Sequence, residues 1–148
     1  MNPPIHATAV ARAGQEGWRG ALLRGPPGSG KSDLALRLID QGWRLVADDY
    51  VLVWASGQTL HATAPERLSG RIEARGLGIV ATPALVTARM ILIVDCMQQT
   101  CERMPEGDRE TIHGVRLPRL RLDIRPASAV RTLDLAMDGF NRRPVWPI

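Results

Sequence analysis

Apolar residues run without interruption over residues 90–94, inside the most hydrophobic stretch of the chain. Such a run predicts a strand over residues 88–95 that is buried on both faces, as in the centre of an α/β sheet. Residues 32–41 and 127–140 instead carry apolar positions at helical spacing, which predicts two helices. Shorter β-prone runs predict the other strands. These lie at residues 5–10, 18–24, 43–49, 50–54, 59–62, 71–75, 76–80, and at 111–113 and 120–124 on either side of Pro118.

Turn-forming residues separate these elements. Residues 13–17 predict the turn of a hairpin, and Gly42 predicts the end of the first helix. Residues 65–70 predict a loop or a single helical turn. The polar residues 97–110 predict a mobile loop, and residues 141–148 predict a flexible tail. The alternation of strands and helices is typical of an α/β domain.

Length and composition narrow the class of protein. A chain of 148 residues with 45% hydrophobic and 23% charged residues is expected to form one domain over residues 1–148, with a real core. No apolar run approaches the ~20 residues that span a bilayer, and residues 1–4 show no signal-peptide pattern. Cys96 and Cys101 do not form a metal-binding pattern, so we expect a reduced, cytoplasmic protein. Pairing of the two cysteines within a loop stays open as the alternative.

The net charge of +4 and the pI of about 10 indicate an anionic ligand or partner. One Tyr and one Phe offer few surfaces for base stacking, and no nucleic acid is expected as a partner. Arginines cluster at residues 116, 119, 121 and 125, which predicts either a contact with a partner or a solvated strand face.

The strongest chemical motif lies between the second predicted strand and the first predicted helix. It matches G-x-x-x-x-G-K-[ST], the P-loop that binds nucleotide phosphates. Its residues are Gly25, Pro26, Pro27, Gly28, Ser29, Gly30, Lys31 and Ser32. The glycines allow backbone N–H groups to point at phosphate oxygens, and the Ser32 hydroxyl can ligate Mg²⁺. Lys31 is the only lysine in the chain, which suggests that a compact ammonium is needed at this position.

A P-loop enzyme needs a further acidic residue, and two candidates follow predicted strands. Asp95 ends the apolar strand, as a Walker B aspartate would. Asp48 and Asp49 follow another strand, where one could hold a metal and the other could take a proton. Adjacent residues on a regular strand point to opposite faces, so these two acids would divide the work.

Three stretches carry a resemblance to a known family. Residues 25–32, 42–49 and 72–79 resemble the catalytic domain of HPr kinase/phosphorylase, and the third stretch is the most specific. Weaker similarity continues through Arg103 and residues 115–119 and 133–140. The resemblance implies a P-loop kinase domain with a central mixed β-sheet and flanking helices.

The resemblance also implies roles for individual residues. Lys31 and Ser32 would act on phosphate and Mg²⁺, with Glu73 and one acid of the Asp48-Asp49 pair assisting at the metal. The other acid, for which we favour Asp49, would be the acid/base. The remaining implied catalytic residues are His6, Arg75 and Arg103, and Pro118 with Arg119 matches a segment tied to dephosphorylation.

The implied activity is ATP- and Mg²⁺-dependent phosphorylation of a serine on HPr or an HPr-like phosphocarrier. The implied reverse reaction would use phosphate or pyrophosphate. The family is bacterial, regulates carbon metabolism through the phosphotransferase system, and forms homo-oligomers, with a hexamer as one form. The family's N-terminal domain has no counterpart in this sequence, and Pro26-Pro27 replaces residues that are usually acidic or polar.

Two other functions remain open at this point. One is a small-molecule or nucleotide kinase that uses Asp95 as its Walker B acid and an arginine from a lid over residues 103–110. The other is a non-catalytic regulator that senses nucleotide.

Overall fold

A long central strand organises the sheet. In the computed structural model, which describes residues 3–102 and 108–141, this strand is β9, Thr87–Met97. One edge of β9 pairs in parallel with β3, Gly17–Arg24. Its other edge pairs with β6, Thr59–Thr63, in antiparallel and then with β11, Val115–Asp123, in parallel. Central burial is therefore confirmed. The predicted end of the strand at Asp95 is wrong, because pairing with β11 extends it to Met97.

A hairpin builds the neighbouring part of the sheet. Strand β2, Thr8–Gly14, pairs with β3 through a two-residue turn, within the turn predicted at residues 13–17. Strand β4, Arg44–Ala47, lies on the outer edge of β2. The single strand predicted over residues 5–10 is divided at Ala7, whose N–H donates to the carbonyl of Asp49.

That division has a cause in strand pairing. Residues before Ala7 form β1, Ile5–His6, which pairs with β5, Tyr50–Ser56, whereas residues after it pair with β3 and β4. Strand β5 pairs in turn with β6. The main path of the sheet is β1-β5-β6-β9-β3-β2-β4. Parallel and antiparallel pairs coexist, and the curled sheet and helices give the mixed α/β fold that was expected.

Two helices pack on the same face of the sheet. Helix α1, Lys31–Asp40, and helix α2, Ala129–Asn141, bury their apolar residues in one core with the side chains of β3 and β9. Gly42 ends α1 with φ 100°, where the N–H of Gly42 bonds to the carbonyl of Ile39. A second core covers the opposite face of the sheet. No helix in the described parts of the chain is long and apolar enough to cross a bilayer.

A separate hairpin stands beside α1. Its strands are β7, Arg71–Ala74, and β8, Gly78–Ala81, and a short 3-10 turn at Glu66–Leu68 precedes them. Ile72 is buried in the core beneath the helices, so it anchors the hairpin to the domain. The opposite face of the hairpin remains open to solvent.

The last strands differ from the prediction around Pro118. Strand β10, Arg109–Ile112, forms a hairpin with β11, and β11 continues through Pro118 without a break. Pro118 lies where β11 exchanges its partner β10 for β9, so a residue without an N–H is tolerated there. The loop predicted over residues 97–110 is replaced at its ends by β9 and β10, and residues 103–107 lie outside the described residues. Of the predicted tail, Asn141 closes α2 and residues 142–148 lie outside the described residues.

Candidate active site

The P-loop curls between β3 and α1 at the carboxyl end of the parallel strands. Gly28 and Gly30 have φ values of 82° and 97°, in the region that favours glycine. A Cβ on Gly30 would lie 2.9 Å from Cδ1 of Ile124, and one on Gly25 would lie 2.5 Å from Oγ of Ser29. By contrast, nothing lies within 4 Å of the corresponding position on Gly28, which faces open space. The glycines thus permit both the curl and its close packing.

Lys31 is held against the inside of this loop. It is 5% exposed, and its Nζ donates to the carbonyls of Gly25 at 2.8 Å and Pro26 at 3.3 Å. An ammonium carries three donors, so one remains for a ligand. The hydroxyl oxygen of Ser29 is buried and has no hydrogen-bond partner among the described residues. These free donors and the amino end of α1 fit the phosphates of a nucleotide.

Asp48 is the buried acid of the site. It is 7% exposed, and its Oδ1 accepts hydrogen bonds from the hydroxyls of Ser32 at 2.7 Å and Thr8 at 3.0 Å. Its Oδ2 accepts from the backbone N–H of Glu73 at 3.0 Å. The carboxylate therefore joins β2, α1 and β7 at the end of β4. This position beside the P-loop serine suits an acid that orients a metal ligand.

Asp49 has the opposite environment. Its side chain is 54% exposed, and its Oδ1 lies 2.7 Å from Nε2 of His6. The strand predicted over residues 43–49 ends at Ala47, and Asp49 adopts a φ of 70°. The N–H of Asp49 donates to the Thr8 hydroxyl, which itself donates to Asp48, so Thr8 holds both acids in place. The departure from regular strand geometry leaves one carboxylate buried and the other accessible.

The cleft beside the P-loop has a volume of about 470 Å³. It brings together residues that lie far apart in the chain. Its lining residues are Pro27, Gly28, Gly30, Lys31, Ser32, Asp33, Leu36, Asp49, Glu73, Arg75 and Gln98. Glu73 comes from β7 and Arg75 from the turn that follows it, and both are exposed. His6 does not line the cleft itself, but it contacts Asp49, which does. Of the candidate catalytic residues, only Arg103 lies outside the described residues.

Two residues that contact the site, Gln98 and Thr8, were not predicted from the sequence. Gln98 follows β9, and its Nε2 donates to the carbonyl of Ser29 at 2.8 Å, which supports the P-loop from the side. Thr8 bridges the two acids, as described above. Neither residue belongs to a motif, because each gains its role from strands that meet only in the folded chain.

Asp95, the other candidate acid, forms ion pairs with two arginines. Its Oδ1 accepts from Nε of Arg24 at 3.1 Å, and its Oδ2 accepts from Nε of Arg119 at 2.5 Å. Arg24 also binds both carboxylate oxygens of Glu110, and these hydrogen bonds lower the pKa of Glu110. Both oxygens of Asp95 are thus occupied by guanidinium groups, and Asp95 does not line the cleft. This geometry argues against a Walker B role for Asp95.

The arginines clustered in the sequence lie in different parts of the structure. Of the arginine cluster, Arg119 pairs with Asp95 and Arg125 with Asp123, while Arg116 lines another cleft.

Cys96 and Cys101 are both free thiols, and burial raises the pKa of Cys96 to about 12. Within residues 3–102 and 108–141, no group of three or more His, Cys, Asp or Glu side chains could hold a metal alone. Mg²⁺ does not require one, because it is commonly bound by one or two carboxylates together with phosphate oxygens.

Comparisons with known proteins agree with this geometry. A family model described as the HPr Serine kinase C-terminal domain matches residues 17–137. An HPr kinase/phosphorylase of Limosilactobacillus reuteri is 35% identical over 119 residues, which cover 72% of this chain and 37% of that protein. One from Geobacillus thermodenitrificans is 36% identical over 120 residues, covering 72% and 39%. This chain therefore spans less than half the length of these relatives.

A solved structure extends the comparison to the fold. The Hpr(Ser) kinase/phosphatase from Coxiella burnetii superposes with a TM-score of 0.72 at 25% sequence identity. The match covers 93% of this chain and 100% of the other. Sequence and fold thus point to the same group of proteins.

Proposed function

The chain belongs to the HPr serine kinase C-terminal domain family, and we propose that it transfers the γ-phosphoryl group of ATP to a serine of HPr or an HPr-like phosphocarrier. The observation that carries this proposal is one cleft at which the P-loop meets an open acid, with a second, buried acid behind the P-loop serine. Asp48 is buried against Ser32, and Asp49 is open and paired with His6. Such an arrangement suits a reaction that needs both a metal–phosphate complex and a proton acceptor.

The nucleotide would lie along the P-loop. Backbone N–H groups and the end of α1 would bind its phosphates, and the free donor of Lys31 would neutralise the outer ones. Arg75 lines the same cleft and forms no ion pair with an acidic side chain in the described part of the chain. Its guanidinium is therefore available to stabilise negative charge that develops during transfer.

The residues that fit Mg²⁺ are Ser32, Asp48 and Glu73. When bound, Mg²⁺ offsets the charge of the phosphate oxygens and orients them. Ser32 and Glu73 both line the cleft, and Asp48 accepts a hydrogen bond from the Ser32 hydroxyl and so orients it. The backbone N–H of Glu73 donates to the Asp48 carboxylate, and this hydrogen bond fixes the positions of the two residues relative to each other.

Asp49 would accept the proton of the attacking serine. As that hydroxyl oxygen forms its bond to the γ-phosphorus, the bond from this phosphorus to the oxygen of ADP breaks. The hydroxyl proton passes to Asp49, whose orientation His6 maintains. For the reverse reaction, phosphate would attack the phosphoserine phosphorus, and pyrophosphate would form. The same carboxylate would then take the proton of the attacking phosphate and return one to serine.

An exposed apolar surface beside the cleft supports a protein acceptor rather than a small molecule. Ile79 is 68% exposed and is the register partner of Glu73, so the two share the open face of the β7–β8 hairpin. Leu77 at the turn is also exposed. Such neighbouring apolar residues are typical of surfaces that contact other proteins. A homo-oligomeric assembly, with a hexamer as one form, a cytoplasmic location and a single domain over residues 1–148 remain part of this proposal.

The decisive experiment incubates the protein with ATP, Mg²⁺ and the HPr of its host, and maps phosphoserine by mass spectrometry. We expect transfer by the wild type and none by Lys31→Ala. Arg67→Gln, an exposed substitution outside the cleft, is the matched control and should be as active as wild type. Equal transfer by Lys31→Ala would contradict the proposal. Tight ATP binding without any transfer would instead support the non-catalytic regulator.

A further inference from the structure

A second cleft lies at the other end of the central strands. Its volume is about 360 Å³. Arg19 of β3 and Arg89 of β9 line it, and they are register partners on adjacent parallel strands. Arg19 precedes Gly25, the first residue of the P-loop, by six positions, and at ~3.3 Å per residue this places it about 20 Å from the start of the P-loop. The second cleft is thus separate from the candidate active site.

The second cleft concentrates positive charge. Arg109 and Arg116, from the β10–β11 hairpin, join Arg19 and Arg89 in its lining. Among the described residues that line it, Glu16 is the only acidic one, and this exposed side chain approaches Arg19 at 3.4 Å. Among the described residues, Arg89, Arg109 and Arg116 form no ion pair with an acidic side chain. Three of the four guanidinium groups that line the cleft therefore have no acidic partner in the described part of the chain.

Arg89 gives a more specific sign of a missing ligand. Its Nε is buried and has no hydrogen-bond partner in residues 3–102 and 108–141. Removing such a donor from water without a partner is unfavourable, and an acceptor that enters the cleft would relieve that cost. A guanidinium offers a planar pair of donors that matches phosphate or carboxylate oxygens. The buried apolar residues Leu60, Met90 and Leu117 also line the cleft and make its floor apolar.

We propose that this second cleft binds a small organic molecule carrying several negative charges on phosphate or carboxylate groups. Arg89 and Arg116 are its principal contacts, Arg19 and Arg109 contribute charge, and the apolar floor receives the body of the molecule. The proposal does not depend on the kinase reaction, because none of these residues lines the nucleotide cleft.

The test is an NMR titration of the ¹⁵N-labelled chain in the Lys31→Ala background, which weakens competing binding at the P-loop. Inorganic phosphate and citrate are the probes, in separate arms at constant ionic strength set with KCl. We expect saturable shifts of the amides of Thr59, Arg89 and Leu117, outside the P-loop. The arm with the tighter dissociation constant identifies phosphate or carboxylate as the preferred group.

Matched variants assign the binding to the arginines. Arg89→Gln and Arg116→Gln should each weaken binding about tenfold or more, as expected for loss of a charge-assisted contact. Arg67→Gln should leave it unchanged. Arg116 is exposed, so its variant is decisive if Arg89→Gln does not fold. Shifts confined to Gly28 and Gly30, or equal affinities in both arginine variants and wild type, would overturn the proposal. So would shifts that KCl alone reproduces.

Discussion

The carboxylate oxygen Oδ1 of Asp49 lies 2.7 Å from Nε2 of His6, although 43 positions separate the two residues in the chain. The contact depends on the pairing of β1 with β5, in which His6 is the register partner of Tyr50. It also depends on the φ of 70° at Asp49, which departs from strand geometry. A carboxylate that is exposed but held by one neighbour is well suited to receive a proton from a substrate.

This pair leads to the first prediction. Asp49→Asn should lower kcat for phosphoryl transfer by about 10²–10⁴-fold, the usual contribution of a positioned acid/base. ATP affinity should change little, because Asp49 binds no part of the P-loop. His6→Gln should have a smaller effect on kcat, since it removes only the support of the carboxylate. Steady-state kinetics and binding of a fluorescent ATP analogue would separate the two quantities.

His61→Gln is the control for His6, because His61 contacts Thr59 and Trp54 away from the nucleotide cleft. It should retain wild-type kcat. Full activity in Asp49→Asn would remove Asp49 from the reaction. If Asp95→Asn lost transfer while Asp49→Asn kept it, the Walker B alternative would be supported instead.

The second prediction concerns the stability provided by Asp48. Asp48→Ala should lower the free energy of unfolding by about 1–3 kcal/mol, because donors on Thr8, Ser32 and Glu73 lose a shared acceptor that is itself buried. Asp49→Ala, on the exposed neighbour, should change it by about 0.5 kcal/mol or less. Urea denaturation followed by circular dichroism measures both. Equal losses in the two variants would show that burial does not distinguish these acids.

The third prediction concerns the metal. Glu73→Gln should raise the Mg²⁺ concentration for half-maximal transfer by about tenfold, because a charged ligand for a hard cation becomes neutral. The folded state should be unaffected, since the bond to Asp48 comes from the backbone N–H of Glu73. Glu66→Gln, in the preceding 3-10 turn, is the control. An unchanged Mg²⁺ requirement would exclude Glu73 as a ligand.

The fourth prediction follows from the ion pairs at Glu110. Hydrogen bonds from Arg24 lower the pKa of Glu110 below the ordinary value of 4.5. A carboxylate with a lowered pKa in the folded state stabilises the protein above its unfolded pKa, and this contribution disappears as the pH falls through the lowered value. Glu110→Gln should therefore be less stable than wild type at neutral pH, and the difference should shrink below about pH 4.5. Denaturation curves across this range test it, and a difference that is independent of pH would contradict it.

The fifth prediction distinguishes the two thiols. Burial raises the pKa of Cys96 to about 12, so almost none of it is thiolate at neutral pH. Cys101 is only partly buried. Iodoacetamide should therefore modify Cys101 in the folded protein, and Cys96 only after unfolding in guanidinium. Peptide mass spectrometry identifies the modified residue. Rapid alkylation of Cys96 in the native state would contradict its burial.

The limits of sequence analysis are clearest at the acidic residues. Asp95 follows an apolar strand and fits the local pattern of a Walker B acid, yet Arg24 and Arg119 occupy its carboxylate. The guanidinium groups arrive from β3 and β11, and no local pattern indicates this. The same reason explains why Gln98 and Thr8 were missed, and why Pro118 was expected to interrupt a strand.

By itself, the sequence determined the P-loop and its flanking strand and helix, the central strand, and the family through residues 25–32, 42–49 and 72–79. These features depend on short-range spacing: glycines at loop positions, apolar residues at one period, and a turn at Gly42. Only the tertiary structure decided that Asp48 is buried and Asp49 open, that His6 reaches Asp49, and that four arginines share a second cleft. Those relationships arise from pairing between strands distant in sequence, where hydrogen bonding and burial of the whole sheet determine the register.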